Sequence, residues 1–195
     1  GEGGGGARVE DEATVDALIL TSLRGEAIGE LLDIGTGSGR MLRLLGEGAG
    51  RAVGIDISRA MLMLARSNLH AAGLDHLLVR QGDMYQLRFP DSSFDTVTID
   101  QVLFEAEQPG QVLREAARVL RPGGRLLLVE FLTADAAADS PAQTNDCVAI
   151  DRRRLDGWFD DAGLALEHWQ QLPGDPYPVI LSVARREPRD RQVAA

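Results

Sequence analysis

Residues 31–39 read Leu-Leu-Asp-Ile-Gly-Thr-Gly-Ser-Gly, a mostly apolar stretch that runs straight into three alternating glycines. The order suits a buried strand, a glycine-rich turn and then a helix. Glycine in such a turn lets backbone N–H groups approach a ligand closely at a helix N-terminus. Two later segments repeat the arrangement: Ala52-Val-Gly-Ile55 ends in Asp56, and Leu77-Leu-Val-Arg-Gln81 runs into Gly82-Asp83-Met84. Turns at the ends of successive strands can converge on one small molecule, so an enzyme is the leading expectation.

The rest of the chain keeps this rhythm. A helix is expected from Asp11 as N-cap, with Ala13, Ala17, Leu18 and Leu20 as its apolar face and Gly25 and Gly29 as its end. Strands are expected at Glu30–Ile34, Arg51–Ile55, Leu77–Gln81, Asp95–Asp100 and Arg125–Phe131. Helices are expected at Arg40–Leu45, after Ser58 with Met61, Leu64, Ala65 and Leu69 facing inward, and at Gln111–Leu120. Arg121-Pro-Gly-Gly124 reads as a break. Thr133–Cys147 has weak periodicity and reads as a loop. A helix over Asp151–Ala162 and two strands, Leu164–Gln170 and Pro178–Ala184, close the domain. Pro173-Gly-Asp-Pro176 suits the hairpin link between those strands. Alternating strands and helices imply an α/β fold with a doubly wound, mostly parallel sheet of seven strands. The final hairpin sets the last strand antiparallel to its neighbour. The expected boundaries are a flexible linker at 1–8, one domain at 9–187 and a flexible tail at 188–195.

Bulk properties narrow the partners. A chain of 195 residues suffices for one domain with a proper core. Its net charge of −10 argues against a broad nucleic-acid footprint. No apolar run nears the length of a membrane span, so neither nucleic acid nor membrane is expected as a partner. All 20 basic residues are arginine, which points to a GC-rich genome rather than to a function. A single cysteine, Cys147, fits a reducing, cytoplasmic compartment. No His/Cys/carboxylate spacing suggests a metal site.

The strand ends carry the chemistry. Asp56 is placed to accept hydrogen bonds from both hydroxyls of a ribose; alternatively, it helps cap the helix that follows. Asp83 is placed to accept from an exocyclic amine such as that of adenine; alternatively, it is a solvated turn residue. Ile57, Met61 and Met84 can sandwich an aromatic base or simply pack in the core. The pattern at Gly35, Gly37 and Gly39 is G-x-G-x-G. A dinucleotide fingerprint needs its third glycine at position 40, where Arg40 stands.

Together these residues are identified as those of a class I S-adenosylmethionine-dependent methyltransferase. Leu31–Gly39 resembles the family's first motif, Val53-Gly-Ile-Asp-Ile-Ser58 the second and Gln81-Gly-Asp-Met84 the third. Phe89–Asp95 and Arg118–Gly124 resemble the segments flanking its fourth and fifth strands. The flavour is that of the ubiquinone/menaquinone-methyltransferase-like branch. Gly39-Arg-Met-Leu42 and Ala116-Ala-Arg-Val-Leu120 also resemble methyltransferase domains fused behind an ArsR-type winged-helix regulator. The resemblance implies a Rossmann-like fold, S-adenosylmethionine as cofactor and a small-molecule methyl acceptor. It implies that Asp33, Gly35, Thr36, Gly37, Ser38 and Gly39 border the methionine moiety, and that Asp56 holds the ribose. Ile57, Met61 and Met84 would flank the adenine, Asp83 would reach its amino group, and Gly82 would join the cofactor-binding set. Asp100 and Gln101 would lie near the methionine amino group and the transferring methyl.

Methyl transfer from a sulfonium is an in-line displacement in which the protein chiefly orients the partners and excludes water. Glu105 is a candidate base, or a solvated carboxylate. Arg152-Arg-Arg154 reads as an exposed helix face or an anion contact. His70, His76 and His168 fall away from the expected site. Two other readings remain at this level: an S-adenosylmethionine-sensing module of a transcriptional regulator, and an NAD-dependent oxidoreductase.

Overall fold

The computed structural model describes residues 8–9, 12–132, 150–175 and 177–188. In chain order the elements are β1 (Arg8–Val9), α1 (Glu12–Ser22), β2 (Gly29–Ile34), α2 (Arg40–Leu45), β3 (Ala49–Asp56), α3 (Arg59–Ala71), β4 (Leu78–Gln81), β5 (Phe94–Asp100), α4 (Pro109–Val119), β6 (Leu120–Phe131), α5 (Arg152–Ala162), β7 (Leu164–Leu172), β8 (Gly174–Asp175) and β9 (Val179–Arg186). Seven strands form one sheet in the order β4-β3-β2-β5-β6-β9-β7. The pairs from β4 through β6 are parallel. The hairpin lays β9 antiparallel to β7 and, on its other side, to β6. The link between β7 and β9 also forms a small ladder with the start of the chain, β8 with β1, which the sequence does not foreshadow.

Central strand β6 shows why the sheet is covered on both faces. Leu126, Leu127, Leu128 and Val129 are all fully buried. Successive side chains alternate between faces. Leu126, Leu128 and Leu132 pack with Val112 and Leu113 of α4 and Leu155 and Phe159 of α5. Leu127, Val129 and Phe131 pack with Val15 and Ile19 of α1 and Met41, Leu42 and Leu45 of α2. Truncating one such leucine to alanine costs about 2–5 kcal/mol.

Three local expectations are corrected. The inward residues of α1 are Val15 and Ile19, continued by Leu23 just past its end, whereas Ala13, Ala17 and Leu20 are exposed. Alanines bury too little area to direct a helix against branched competitors. In α3 the inward residues are Leu62, Ala65 and Leu69, while Met61 and Leu64 stay exposed. The helix is thus rotated by about one residue, which brings Met61 to the mouth of the cavity described below. The break at Arg121–Gly124 is an excursion within β6: pairing jumps from Phe94↔Leu120 to Thr96↔Arg125. Gly123 takes φ 77° in that bulge.

Capping sets the ends of the site-bearing elements. The Ser58 side chain accepts from the Met61 N–H at 3.3 Å and starts α3. Asp151 caps α5 through the Arg154 N–H at 2.8 Å, and Gly163 closes it in the left-handed region. The parallel strands end on one edge of the sheet, and the site lies there.

Candidate active site

A cavity of about 760 Å³ opens at the C-terminal ends of β2, β3 and β5 and beside the turn after β4. Its floor is the glycine turn after β2. Gly35 has φ 68° and Gly37 has φ 50°, conformations costly to residues with a Cβ. A Cβ on Gly35 would also meet Val102 Cγ2 at 2.5 Å. The Thr36 N–H donates to the Ile55 carbonyl at 2.8 Å, tying the turn to β3. This close approach requires Gly54, since a Cβ there would lie 2.5 Å from Thr36 Oγ1.

Asp56 joins the first two turns. Its Oδ2 accepts from the Gly37 N–H at 2.9 Å, and its Oδ1 accepts from the Ser58 N–H at 2.8 Å. Gly82 follows, its N–H donating to the Asp56 carbonyl at 3.1 Å. Asp83 is an exposed turn residue whose Oδ1 accepts from the Tyr85 N–H at 2.8 Å. Ile57, 69% exposed, and Met61, 42% exposed, present apolar surface at the mouth opposite Met84.

The far wall is built from β5. Asp33 is 1% exposed and accepts the Thr98 hydroxyl at 2.7 Å through Oδ1. Burial pushes its pKa up to about 7, against the pull of the nearby Thr36 and Thr98 hydroxyls. Asp33 Oδ2, Thr36 Oγ1 and Asp100 Oδ1 are buried with no hydrogen-bond partner among the described residues. Asp100 accepts Arg40 Nη1 at 2.6 Å, and Arg40 Nη2 reaches Asp16 of α1. Burial raises the Asp100 pKa despite the guanidinium beside it. Gln101 holds φ 55°, with its N–H on the Val129 carbonyl at 2.8 Å. A residue with a side chain held there marks a strained position at the cavity wall.

A family model described as a methyltransferase domain matches residues 32–128, the span that contains every one of these turns. A ubiquinone/menaquinone biosynthesis C-methyltransferase from Hahella chejuensis is 43% identical over 107 residues, covering 52% of this chain and 42% of that protein. Residues 32–128 are a methyltransferase domain. A 27-O-demethylrifamycin SV methyltransferase from Amycolatopsis mediterranei is 38% identical over 110 residues, covering 55% of this chain and 40% of that one. The crystal structure of the YcgJ protein from Bacillus subtilis superposes with a TM-score of 0.77 at 20% identity, covering 90% of this chain and 99% of that one, which shows the fold. The chain spans about two-fifths of the length of these curated relatives.

The methyltransferase cavity gathers all but one of the residues picked out by sequence: Asp33, Gly35, Thr36, Gly37, Ser38, Asp56, Ile57, Met61, Gly82, Asp83, Met84, Asp100 and Gln101. Gly39 is the exception. It does not line the cavity; a Cβ there would face Ala65 of α3 at 3.4 Å, and its φ is 83°. Its role in the structure is helix packing. Sequence reasoning missed Glu12, Arg40, Met41, Ile55, Ser58, Tyr85 and Val102 as lining residues and left Glu105 open; all eight border the cavity. Arg40 entered only as a mismatch to a dinucleotide pattern. The available signal was a charged residue at the first position of a mostly apolar helix, right after the glycine turn. Arg152 and Arg154 pair with Asp156 and Asp151, and the Arg152 guanidinium lies 4.2 Å from the Trp169 ring centre. Cys147 falls outside the described residues.

Proposed function

We propose that this chain binds S-adenosylmethionine across the ends of β2 to β5 and transfers its methyl group to a small-molecule acceptor. The observation that carries the reading is the polarity of the cavity. Six carboxylates border it, those of Glu12, Asp33, Asp56, Asp83, Asp100 and Glu105, against one guanidinium, Arg40, already engaged by two aspartates. The Gly37 N–H of the glycine turn is given to Asp56. A pyrophosphate needs donors at that turn, and this site offers acceptors. An amino acid ammonium, two ribose hydroxyls and an exocyclic amine all need acceptors. The buried Asp33 and Asp100 oxygens that have no partner among the described residues fit that demand.

When bound, the cofactor supplies an electrophilic methyl on a sulfonium. The chain's own residues do the rest. Each Asp56 oxygen accepts one backbone N–H and keeps a lone pair for a ribose hydroxyl. The Asp83 carboxylate serves the adenine amino group, and Ile57, Met61 and Met84 cover the base. Asp33, Asp100 and Gln101 take the methionine end. The β5-side wall then fixes the direction of approach, so orientation and water exclusion supply most of the rate. Glu12 and Glu105 have no salt-bridge partner among the described residues, and their charge favours a neutral or cationic acceptor over an anionic one. Glu105, an exposed carboxylate at the cavity border, is the candidate base for an acceptor that must lose a proton.

Calorimetric titration with S-adenosylhomocysteine and with NAD, side by side, tests the reading. Micromolar binding of the first and no heat from the second is expected. Comparable NAD binding overturns it.

A further inference from the structure

Residues 126–132 read Leu-Leu-Leu-Val-Glu-Phe-Leu, and the glutamate is as buried as its neighbours, at 0% exposure. A carboxyl in the middle of a covered sheet is costly unless it is hydrogen-bonded. Glu130 Oε2 accepts the Leu103 N–H at 2.7 Å, and Oε1 accepts the Phe131 N–H at 2.8 Å. The Phe104 N–H also donates to it. Burial pushes its pKa up to about 8, while these three amides act in the opposite direction and Asp100 adds to the rise.

The location of those amides matters more than their number. Leu103 and Phe104 open a single 3₁₀ turn, Leu103–Glu105, whose preceding residue Val102 provides no side-chain cap. The first N–H groups of such a turn have no partner within it, and Glu130 reaches across from the neighbouring strand to serve as their acceptor. One residue earlier on β6, the Val129 carbonyl takes the Gln101 N–H at 2.8 Å and holds that residue at φ 55°. Two consecutive residues of β6 therefore fix the whole segment from Gln101 to Glu105. Gln101, Val102 and Glu105 of this segment line the cavity. Val102 fills the space left where Gly35 has no Cβ, so the segment also bears on the glycine turn.

We propose that Glu130 is a positioning residue for the methionine-side wall of the site: by holding the amides of Leu103 and Phe104 it sets where Gln101, Val102 and Glu105 stand relative to the glycine turn. It touches neither cofactor nor acceptor. The proposal rests on the methyltransferase reading for its ligand and on the hydrogen bonds alone for its mechanics.

Two variants test it, Glu130→Leu, which suits an apolar strand, and Glu130→Gln, which keeps one acceptor oxygen. Affinities for S-adenosylhomocysteine and for adenosine are measured by calorimetry. Adenosine uses the Asp56 and Asp83 side and lacks the methionine end. In Glu130→Leu the homocysteine compound should bind at least tenfold more weakly while adenosine changes less than twofold, and Glu130→Gln should fall between. A merely structural role would weaken both ligands equally or neither, and either result overturns the proposal. Amide hydrogen exchange at Leu103 and Phe104 decides the mechanics without ligand. Exchange at least tenfold faster in Glu130→Leu, with α3 unchanged, is expected; unchanged exchange there refutes it. A wild-type protein that binds neither ligand would instead count against the methyltransferase reading.

Discussion

Replacing Asp56 by alanine separates the two tasks assigned to that residue. In the structure its carboxylate holds the Gly37 and Ser58 amides at 2.9 and 2.8 Å. Both amides lie at a partly open turn where water can replace the lost acceptor, so the folding cost is about 1–2 kcal/mol. That corresponds to a fall in melting temperature of about 2–8 °C for a chain of this size. The Ser58 cap on Met61 survives, so α3 should still start where it does. Ligand binding suffers more. Two hydroxyls donating to a carboxylate are each worth about 1.5–3 kcal/mol; at the low end the pair gives about 3 kcal/mol. At 1.4 kcal/mol per decade, the dissociation constant rises about a hundredfold. Calorimetry with S-adenosylhomocysteine, adenosine and free adenine reads this directly. The first two should weaken about a hundredfold and adenine, which has no ribose, by less than threefold. Unchanged affinity for adenosine in a folded Asp56→Ala protein refutes the ribose assignment. Equal weakening of adenine refutes its specificity.

Four more outcomes follow from the same geometry. Asp33, held up at about 7, should make S-adenosylhomocysteine affinity rise with pH up to that point and level off above it; Asp33→Asn should flatten the profile, and a profile that stays steep assigns the proton elsewhere. Because the folded-state pKa of Asp33 and of Glu130 (about 8) lies above the unfolded value, both groups stabilise the fold fully below pH about 4. That contribution is lost as pH rises through 7 and 8, so apo-protein melting temperatures should rise at alkaline pH in Asp33→Asn relative to wild type. Gly35→Ala combines a left-handed backbone with a contact 2.5 Å from Val102, and should cost about 2–4 kcal/mol in chemical denaturation. Adding Val102→Ala should return about half, and no recovery would mean the backbone carries the whole cost. Arg40→Met leaves Asp100 buried without its cation and should destabilise by about 2–4 kcal/mol. Asp100→Asn in the same chain should recover part of that, a coupling that a double-mutant cycle measures.

The parallel core was legible because its strands are apolar runs ending in glycine or aspartate. Gly35, Asp56, Gly82 and Asp83 stand at those ends, and the structure brings them to one cavity. Helix faces were less legible. In α3, Met61 and Leu62 are equally apolar neighbours, and only packing against the sheet decides that Leu62 turns inward. The charged members of the site were hardest to read. Arg40 meets Asp16 and Asp100, partners 24 and 60 residues away, and no local pattern announces such a pairing. Glu130 did carry a signal, a lone carboxylate in an apolar strand, but the Leu103 amide it holds lies 27 residues back. Gly39 differs from its fellow glycines: it stands outside the cavity lining, and a Cβ there would face Ala65 of α3.

The most direct measurement is a crystal structure of the protein with S-adenosylhomocysteine. The ribose hydroxyls should lie within hydrogen-bond distance of Asp56, the adenine between Ile57, Met61 and Met84, and the methionine end against Asp33, Asp100 and Gln101. Ligand density elsewhere, or side chains of the domain filling the space between the glycine turn and Gln101, would contradict the account.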